Sequence, residues 1–234
     1  MNDARMIVDV VIPAFNEEAS IALVIGDIAR GEVRRIVMAD NNSTDATAIV
    51  AAQAGADVVP ARRQGYGSAC LAALDRVRID PPDVVVFVDA DYSDHPEEIP
   101  RLLAPIAEHG ADLVIGSRVL GDREPGALLP QARAGNLLAT FLIRLLYHHR
   151  FTDLGPFRAI RWSALERIGM RDPDFGWTAE MQVKALRHGL QAVEVPVSYR
   201  RRVGVSKITG TVSGTLKAGV KILYTIFRYS WSRS

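Results

Sequence analysis

The sequence predicts an α/β protein with a mainly parallel β-sheet, helices on both faces of the sheet, and an amphipathic helical segment at the C-terminus. Two observations carry this prediction. Short apolar runs alternate with segments of helical periodicity through the first half of the chain, as expected of parallel strands joined by helices. In addition, residues 84–88 are five consecutive apolar residues, which is typical of a strand buried on both faces.

Five strands and four helices are predicted in the first half of the chain. The strands are residues 7–12, 35–38, 57–60, 84–88 and 111–115. The helices alternate with them: one has Ile21, Val24, Ile25 and Ile28 at helical spacing, one begins near Ser43 or Thr44, and two span residues 65–80 and 95–109. Either hydroxyl residue can cap the second helix.

The second half of the chain is less regular. Residues 121–135 hold two prolines and three glycines and predict a loop. The further predictions are a helix at 136–149, a loop and short strand at 151–161, a loop and helix at 174–188, a strand at 192–199 and a basic turn at 200–207. Residues 212–231 have strong helical periodicity, with an apolar stripe beside a stripe of Lys, Tyr and Arg.

Composition narrows the class of protein. An apolar share of 48% over 234 residues supports a sizeable core, and a net charge of +1 gives no general attraction for nucleic acid, which we do not expect as a partner. The single cysteine, Cys70, excludes an intrachain disulfide, and we find neither a secretory signal nor an apolar stretch long enough to span a membrane. We expect a cytoplasmic protein; peripheral attachment to the inner face of a membrane stays open.

Asp89 and Asp91 follow directly after residues 84–88. Side chains alternate along a strand with a period of two, so both carboxylates project on the same side. They repel each other unless a cation lies between them, and a hard divalent ion that also binds phosphate suits such a place. The alternative is a polar loop whose acids cap a helix. Other polar residues also follow predicted strands, namely Asp40, residues 62–67, Asp94 and Arg118, which predicts an active site at the carboxyl edge of the sheet.

Short motifs occur in order along nearly the whole chain, at residues 10–18, 39–45, 65–69, 88–91, 116–118, 152–158 and 194–197. Together they resemble the family 2 inverting glycosyltransferases of GT-A (Rossmann-like) fold, and within that family the dolichyl-phosphate mannose synthases and polyprenyl-phosphate glycosyltransferases. The resemblance implies a nucleotide-sugar-binding half at 1–120, an acceptor-binding half of the same domain at 121–207 and an amphipathic helix at 208–234. It also implies a UDP- or GDP-sugar as donor of a hexose.

The resemblance implies a nucleotide pocket in the first half. Pro13, Phe15 and Glu17 would line the base and ribose pocket, and Asp40 would accept a hydrogen bond from the base. Gly65 and Gly67 would let the backbone approach the nucleotide closely. From the residues alone, other roles stay open: Pro13 can end a strand, Asp40 can cap a helix, and the glycines can simply form a turn.

The same resemblance makes Asp89 and Asp91 the ligands of Mg²⁺ or Mn²⁺, with Asp91 the direct ligand and Asp89 also near the nucleotide. The ion would bridge the diphosphate oxygens. This chain departs from the related synthases by having Ser93 where they often have glutamine. Serine is a weaker ligand, so water or Asp94 would complete the coordination shell.

The acceptor determines whether a base is needed. A hydroxyl acceptor requires a carboxylate within hydrogen-bond distance, and the resemblance makes Asp153 and Glu180 the catalytic candidates. Glu180 can instead be a structural acid in the first turn of a helix.

A lipid phosphate is already ionised and needs only cations. Arg118 and Arg133 correspond in position to residues that contact the lipid phosphate in the synthases. Arg202 and Lys207 lie in the basic turn, which resembles an element that closes over the donor diphosphate.

We interpret the sequence as a metal-dependent inverting transferase that moves a hexose from a nucleotide diphosphate sugar to a polyprenyl phosphate. A small soluble hydroxyl acceptor is the alternative, because the chain lacks the transmembrane helices of some relatives. More distant alternatives are a nucleotidyltransferase, although residues 13–17 lack its glycine-rich loop, and a non-catalytic nucleotide-sugar sensor. The amphipathic segments at 137–147 and 216–231 suit a membrane surface, and equally packing against the sheet or a partner in a homo-oligomer.

Overall fold

The computed structural model describes residues 6–204 and 212–231. The strands are β1 (Val8–Ala14), β2 (Arg35–Asp40), β3 (Asp57–Pro60), β4 (Val84–Phe87), β5 (Leu113–Ser117), β6 (Arg158–Arg161) and β7 (Ala192–Pro196). They form one seven-stranded sheet in the order β3-β2-β1-β4-β6-β5-β7. This arrangement, with helices on both faces, confirms the predicted α/β fold with a mainly parallel sheet.

Strand β6 is the exception to the parallel arrangement. It pairs antiparallel with β4 and β5, whereas β1 is parallel to β2 and β4, β2 to β3, and β5 to β7. The six parallel strands therefore end at one edge of the sheet, and β6 begins there, with Arg158 opposite Phe87. As a result, the loop at residues 152–157 reaches the edge where the other strands end.

Within the described ranges, eight α-helices accompany the strands. They are α1 (Ile21–Asp27), α2 (Thr47–Gln53), α3 (Tyr66–Val77), α4 (Ile99–His109), α5 (Pro130–Tyr147), α6 (Trp162–Ile168), α7 (Trp177–Arg187) and α8 (Val212–Trp231), with a 3₁₀ turn at Pro96–Glu98 before α4.

Several boundaries differ from the prediction for local reasons. Helix α5 begins at Pro130, inside the segment predicted as a loop. Proline is favoured at the first position of a helix, because the backbone N–H that it lacks would have no partner within the helix there. Helix α2 begins at Thr47, since the carboxylate of Asp45 accepts its backbone N–H at 3.0 Å. Strand β7 ends at Pro196, which cannot donate to a ladder. Helix α6 was not predicted.

The sheet separates two apolar cores, as the alternation of side chains along its strands requires. On one face, Val85 and Phe87 of β4 pack with residues of α3, α5, α6, α7 and α8. On the other face, Val84 and Val86 pack with residues of α1, α2 and α4. All four side chains are buried, which confirms that this strand is covered on both faces.

The C-terminal helix α8 packs against α5 and α7. Ile226 is fully buried, and the hydroxyl of Tyr147 donates a 2.7 Å hydrogen bond to its carbonyl oxygen. Apolar side chains on the outside of α5 and α8 are exposed, and we call them the outer apolar surface: Leu137, Leu138, Phe141, Leu145, Val220, Tyr224 and Phe227. In the part of the chain that the structure describes, no helix is both long and apolar enough to cross a membrane.

Candidate active site

A cavity of about 400 Å³ lies at the edge of the sheet where the parallel strands end. Several residues predicted for the site line it, namely Pro13, Phe15, Glu17, Gly65, Asp89, Asp91 and Arg202. The remaining lining residues are Ala14, Asn41, Gln64, Tyr66, Ala90, Asp174 and Phe175. A cavity of this volume is within the range of small-molecule sites in proteins.

Three carboxylates lie close together in the turn that follows β4. Asp89 is half-buried in the cavity wall, whereas Asp91 and Asp94 are buried. Burial and the charge of Asp91 raise the pKa of Asp89 to about 7. Burial and the charges of Asp89 and Asp91 raise the pKa of Asp94 well above its usual range. These shifts mean that the ionised forms of Asp89 and Asp94 are disfavoured in this turn, first by burial and then by the neighbouring carboxylates.

The donor set of this turn fits a hard divalent cation. The buried Oδ1 atom of Asp94 has no hydrogen-bond partner among the described residues. Asp89 and Asp91 offer carboxylate oxygens, the ligands that Mg²⁺ and Mn²⁺ prefer, and a cation beside them would relieve the repulsion that raises the pKa of Asp89. Across residues 6–204 and 212–231, no three His, Cys, Asp or Glu side chains form a complete metal cluster. Oxygens of a substrate or of water would supply the other ligands.

Arg202 connects the acidic turn with the residues after β1. Its Nη2 atom donates a 2.9 Å hydrogen bond to Oε1 of Glu17, and its Nη1 atom lies 3.2 Å from Oδ2 of Asp91. The buried Nε atom has no hydrogen-bond partner in the described ranges. The guanidinium therefore supplies positive charge beside Asp91, and its Nε–H stays buried without a partner among the described residues.

Arg200 stabilises the acidic turn through hydrogen bonds to its backbone. Its guanidinium donates hydrogen bonds to the carbonyl oxygens of Tyr92 at 2.7 Å and Asp94 at 3.0 Å, and stacks 3.4 Å from the ring centroid of Tyr92. Tyr92 has a φ of +63°, which is uncommon for a bulky residue, and its hydroxyl donates to Asp27 at 2.8 Å. These contacts fix the strained turn that brings Asp89 and Asp91 to the cavity.

Asp40 and Gly67 were both predicted to contact the nucleotide. Neither residue lines the cavity, although a chain neighbour of each does. Both oxygens of Asp40 accept the backbone N–H three residues later at 3.3 Å, so the carboxylate stabilises the turn after β2. The next residue, Asn41, lines the cavity instead. A Cβ atom at Gly67 would lie 1.9 Å from the carbonyl oxygen of Asp172, so close packing of that loop is what requires glycine here.

Asp153 is held in a buried ion pair with Arg118 and does not line the cavity. Arg118 donates to it from Nε at 2.8 Å, from Nη2 at 2.7 Å and from its backbone N–H at 2.8 Å. Burial alone would raise the pKa of Asp153, but the Arg118 guanidinium and these hydrogen bonds lower it below its usual value. A carboxylate with a lowered pKa and occupied oxygens is a poor base. The structure thus supports neither the catalytic role predicted for Asp153 nor a free phosphate-binding role for Arg118.

Two further side chains hold the loop that carries Asp153. The carboxylate of Glu194 accepts the backbone N–H groups of Thr152 and Asp153, at 2.8 and 2.9 Å. The amide of Asn136, in α5, donates to the carbonyl of Thr152 and accepts the N–H of Leu154, both at 2.9 Å. Strand β7 and helix α5 are therefore joined through this loop.

Glu180 is fully buried in the first turn of α7 and does not line the cavity. Its carboxylate accepts hydrogen bonds from the backbone N–H groups of Arg171 and Asp172 and from the hydroxyl of Tyr229, and it pairs with Lys184 at 2.7 Å. This position does not support the catalytic role predicted for Glu180. The carboxylate instead joins the loop before α7 to α8.

The other predicted cations lie outside the cavity. Arg133 is exposed near the start of α5, and Lys207 lies outside the described residues. Conversely, sequence reasoning gave no site role to three residues of the cavity wall, Asn41, Asp174 and Phe175, and it included Gln64 and Tyr66 only within the range 62–67. The hydroxyl of Tyr66 donates to Oδ1 of Asp89 at 3.1 Å. In the sequence, the position of Tyr66 between Gly65 and Gly67 was the signal that could have identified it as a residue of the site.

Comparison with known proteins gives three related findings. The model of the family described as glycosyl transferase family 2 matches residues 9–169. An uncharacterized glycosyltransferase of Mycobacterium tuberculosis (strain ATCC 25618 / H37Rv) is 38% identical over 214 residues, which are 90% of this chain and 94% of that protein. The dolichyl-phosphate hexose transferase of Haloferax volcanii is 34% identical over 210 residues, which are 88% of each protein.

Among solved structures, the chain is similar in fold to the glucosyl-3-phosphoglycerate synthase from Mycobacterium tuberculosis, crystallised with Mn²⁺, uridine diphosphate and glucosyl-3-phosphoglycerate. The TM-score is 0.78 at 24% sequence identity, and the match covers 99% of this chain and 82% of the synthase. At this level of identity the likeness concerns the fold.

We expect Asp153→Asn to lower the free energy of unfolding by about 3 kcal/mol at neutral pH, because Arg118 then lies buried without its counter-charge. The difference from the wild type should shrink below about pH 4, the ordinary range of an aspartate. The ionised carboxylate contributes stability above its unfolded-state pKa and loses it as the pH falls through its lowered folded-state pKa. Urea unfolding from neutral to acid pH measures both effects.

The matched control is Asp75→Asn, which breaks an exposed pair with Arg78 and should change stability by less than about 0.5 kcal/mol. A destabilisation by Asp153→Asn that is equal at every pH would contradict the ion-pair account.

Proposed function

The chain belongs to glycosyl transferase family 2, and on that premise we propose that this glycosyltransferase moves a hexose from a nucleotide diphosphate sugar to the phosphate of a polyprenyl phosphate, with inversion at the anomeric carbon. The name of the Haloferax relative supports a lipid phosphate acceptor. Uridine diphosphate and Mn²⁺ in the structurally similar synthase support the donor and the metal. The nucleotidyltransferase and sensor alternatives gain no support from these relatives.

In the proposed complex the nucleotide occupies the cavity at the sheet edge. Pro13 and Phe15 offer apolar surface to the base, and Glu17 offers a carboxylate to the ribose. The diphosphate then lies toward Asp91 and Arg202, whose guanidinium lines the cavity and attracts phosphate oxygens by its positive charge. Asp89 and Asp91 would hold a Mg²⁺ or Mn²⁺ ion, which neutralises charge on the diphosphate when bound.

The outer apolar surface is the observation that carries the lipid acceptor. Its members on α5 are between 47% and 71% exposed: Leu137, Leu138, Phe141 and Leu145. They follow directly after Asn136, which holds the loop at the sheet edge, and Arg133 lies one turn earlier. The apolar stripe therefore starts beside the site and carries a cation at that end. An exposed apolar helix face of this kind suits an isoprenoid chain at a membrane surface.

The buried acids agree with a phosphate acceptor. Asp153 and Glu180 are enclosed and fully hydrogen-bonded, so neither is placed to remove a proton from a hydroxyl group. A phosphate oxygen carries its negative charge before it attacks and needs no such base. It attacks the anomeric carbon from the side opposite the diphosphate, the bond from that carbon to the diphosphate oxygen breaks, and the nucleoside diphosphate leaves with the electron pair. Arg202 stabilises the charge that develops on the leaving group.

A soluble hydroxyl acceptor is the second candidate, and Asp174 favours it. This residue lines the cavity, and burial raises the pKa of its carboxyl above the ordinary value, which makes the carboxylate a better proton acceptor than an exposed aspartate. The similar synthase makes glucosyl-3-phosphoglycerate, a small molecule.

We expect the purified protein to transfer radiolabelled sugar from UDP-glucose or GDP-mannose to a polyprenyl phosphate in detergent micelles. Phe141→Asp should lower kcat/KM for this acceptor by about tenfold, because one large apolar contact with the isoprenoid chain is lost. The control is Ile49→Asp, which changes an equally exposed residue of α2 outside the outer apolar surface and should leave transfer unchanged.

Transfer to phosphoglyceric acid or another water-soluble hydroxyl compound, with none to the lipid, would contradict the lipid acceptor. The second candidate further requires that Asp174→Asn abolish that soluble activity.

Arg202→Met is expected to tighten the binding of Mn²⁺ alone by up to about fivefold, because the guanidinium no longer competes for Asp91. The same change should weaken the binding of UDP or GDP, because a cation beside the diphosphate is lost. Calorimetric titrations measure both affinities. Arg201→Met is the control, since the Arg201 guanidinium donates to the carbonyl oxygen of Pro125 on the outside of the protein. Weaker Mn²⁺ binding in Arg202→Met would show that the arginine does not compete with the ion.

A further inference from the structure

We infer that the C-terminal helix α8 positions the wall of the donor cavity, by holding the loop at residues 171–176, which we call the Phe175 loop. Nucleotide binding then depends on Lys221 and Tyr229, side chains that do not line the cavity. This inference rests on the proposed function for the identity of the ligand, a nucleoside diphosphate.

The Phe175 loop forms one wall of the cavity through Asp174 and Phe175. On its inner side it packs on the glycine turn that forms the adjoining wall. The backbone N–H and the hydroxyl of Ser68 donate to the carbonyl oxygen of Pro173 at 2.8 and 3.0 Å. A Cβ atom at Gly67 would lie 1.9 Å from the carbonyl oxygen of Asp172. With backbone in direct contact, a shift of the loop would move or separate both walls.

On its outer side the Phe175 loop is held by α8. The ammonium group of Lys221 lies 2.9 Å from Oδ2 of Asp172, whose side chain is only 8% exposed. Gly176 is packed so closely that a Cβ atom there would lie 2.5 Å from Oγ1 of Thr225. The loop is therefore enclosed between the glycine turn and one stripe of α8.

Glu180 is the second connection between α8 and the loop. Its carboxylate accepts the N–H of Asp172 at 2.7 Å and the hydroxyl of Tyr229 at 2.7 Å. The pair with Lys184 gives the carboxylate a positive partner inside its own helix. Glu180 is thus a positioning residue, which acts on the site through the backbone of the loop.

The two stripes of α8 face different surroundings. Lys221, Thr225 and Tyr229 are four residues apart and face the Phe175 loop and Glu180. Val220 and Phe227 belong to the outer apolar surface, which we propose to meet the lipid acceptor. A single rigid helix therefore contacts the acceptor side on one stripe and supports the donor cavity on the other.

The test compares Lys221→Met and Tyr229→Phe with wild type in two measurements. The first is the dissociation constant of UDP and of GDP with Mn²⁺, by fluorescence titration of the 234-residue chain. The second is the KM of the donor sugar and the kcat of transfer. We expect nucleotide affinity to fall about tenfold in each variant, the order of one charge-assisted hydrogen bond, and the KM of the donor to rise with kcat little changed.

Two variants separate positioning from a general loss of structure. Lys221→Arg keeps the ion pair with Asp172 and should restore nucleotide affinity. Lys217→Met makes the same chemical change on an exposed residue one turn earlier and should leave affinity and activity unchanged. Nucleotide affinity that stays at the wild-type value in both Lys221→Met and Tyr229→Phe would overturn the inference. If wild-type protein bound neither nucleotide, the proposed function would fail first, and this inference with it.

Discussion

Asp89, Asp91 and Asp94 bring three carboxylates to the carboxyl end of β4, and the neighbouring residues are arranged around that charge. Burial and mutual repulsion raise the pKa of Asp89 to about 7, so the turn favours any cation that reaches it. Arg202 supplies one beside Asp91, and Arg200 fixes the backbone that holds the acids in place. A site built in this way suits a ligand that brings both a divalent ion and a diphosphate.

The acids of the second half of the chain have a different task. Asp153, Glu180 and Glu194 each accept hydrogen bonds from backbone N–H groups of loops near the sheet edge. A buried hydrogen bond of this kind adds only modestly to the free energy of unfolding. Its removal is strongly destabilising, because the backbone N–H groups would be left buried without partners. These acids therefore shape the loops around the cavity, and in the transfer that we propose they have no direct contact with the reacting atoms.

The periodicity of the sequence was sufficient to predict the fold class and the buried strand β4, and the period of two along that strand placed Asp89 and Asp91 together. Other features depend on contacts between distant parts of the chain. Nothing local marks β6 as antiparallel. Asp153 and Glu180 were base candidates through the family resemblance. The sequence could not show that their oxygens are occupied, because the partner Arg118 lies 35 residues from Asp153 and the partner Tyr229 lies 49 residues from Glu180. Phe175 enters the cavity wall only because its loop packs on the glycine turn at Gly67.

We propose that the acidic turn binds a nucleoside diphosphate together with a divalent ion. The most direct measurement is calorimetric titration of the protein with UDP and with GDP, each with and without Mn²⁺, repeated on Asp91→Asn. We expect one nucleotide to bind tightly only with Mn²⁺ present, and that metal dependence to be lost in Asp91→Asn. Binding that is equally tight without the metal, or unaffected by the substitution, would contradict the claim.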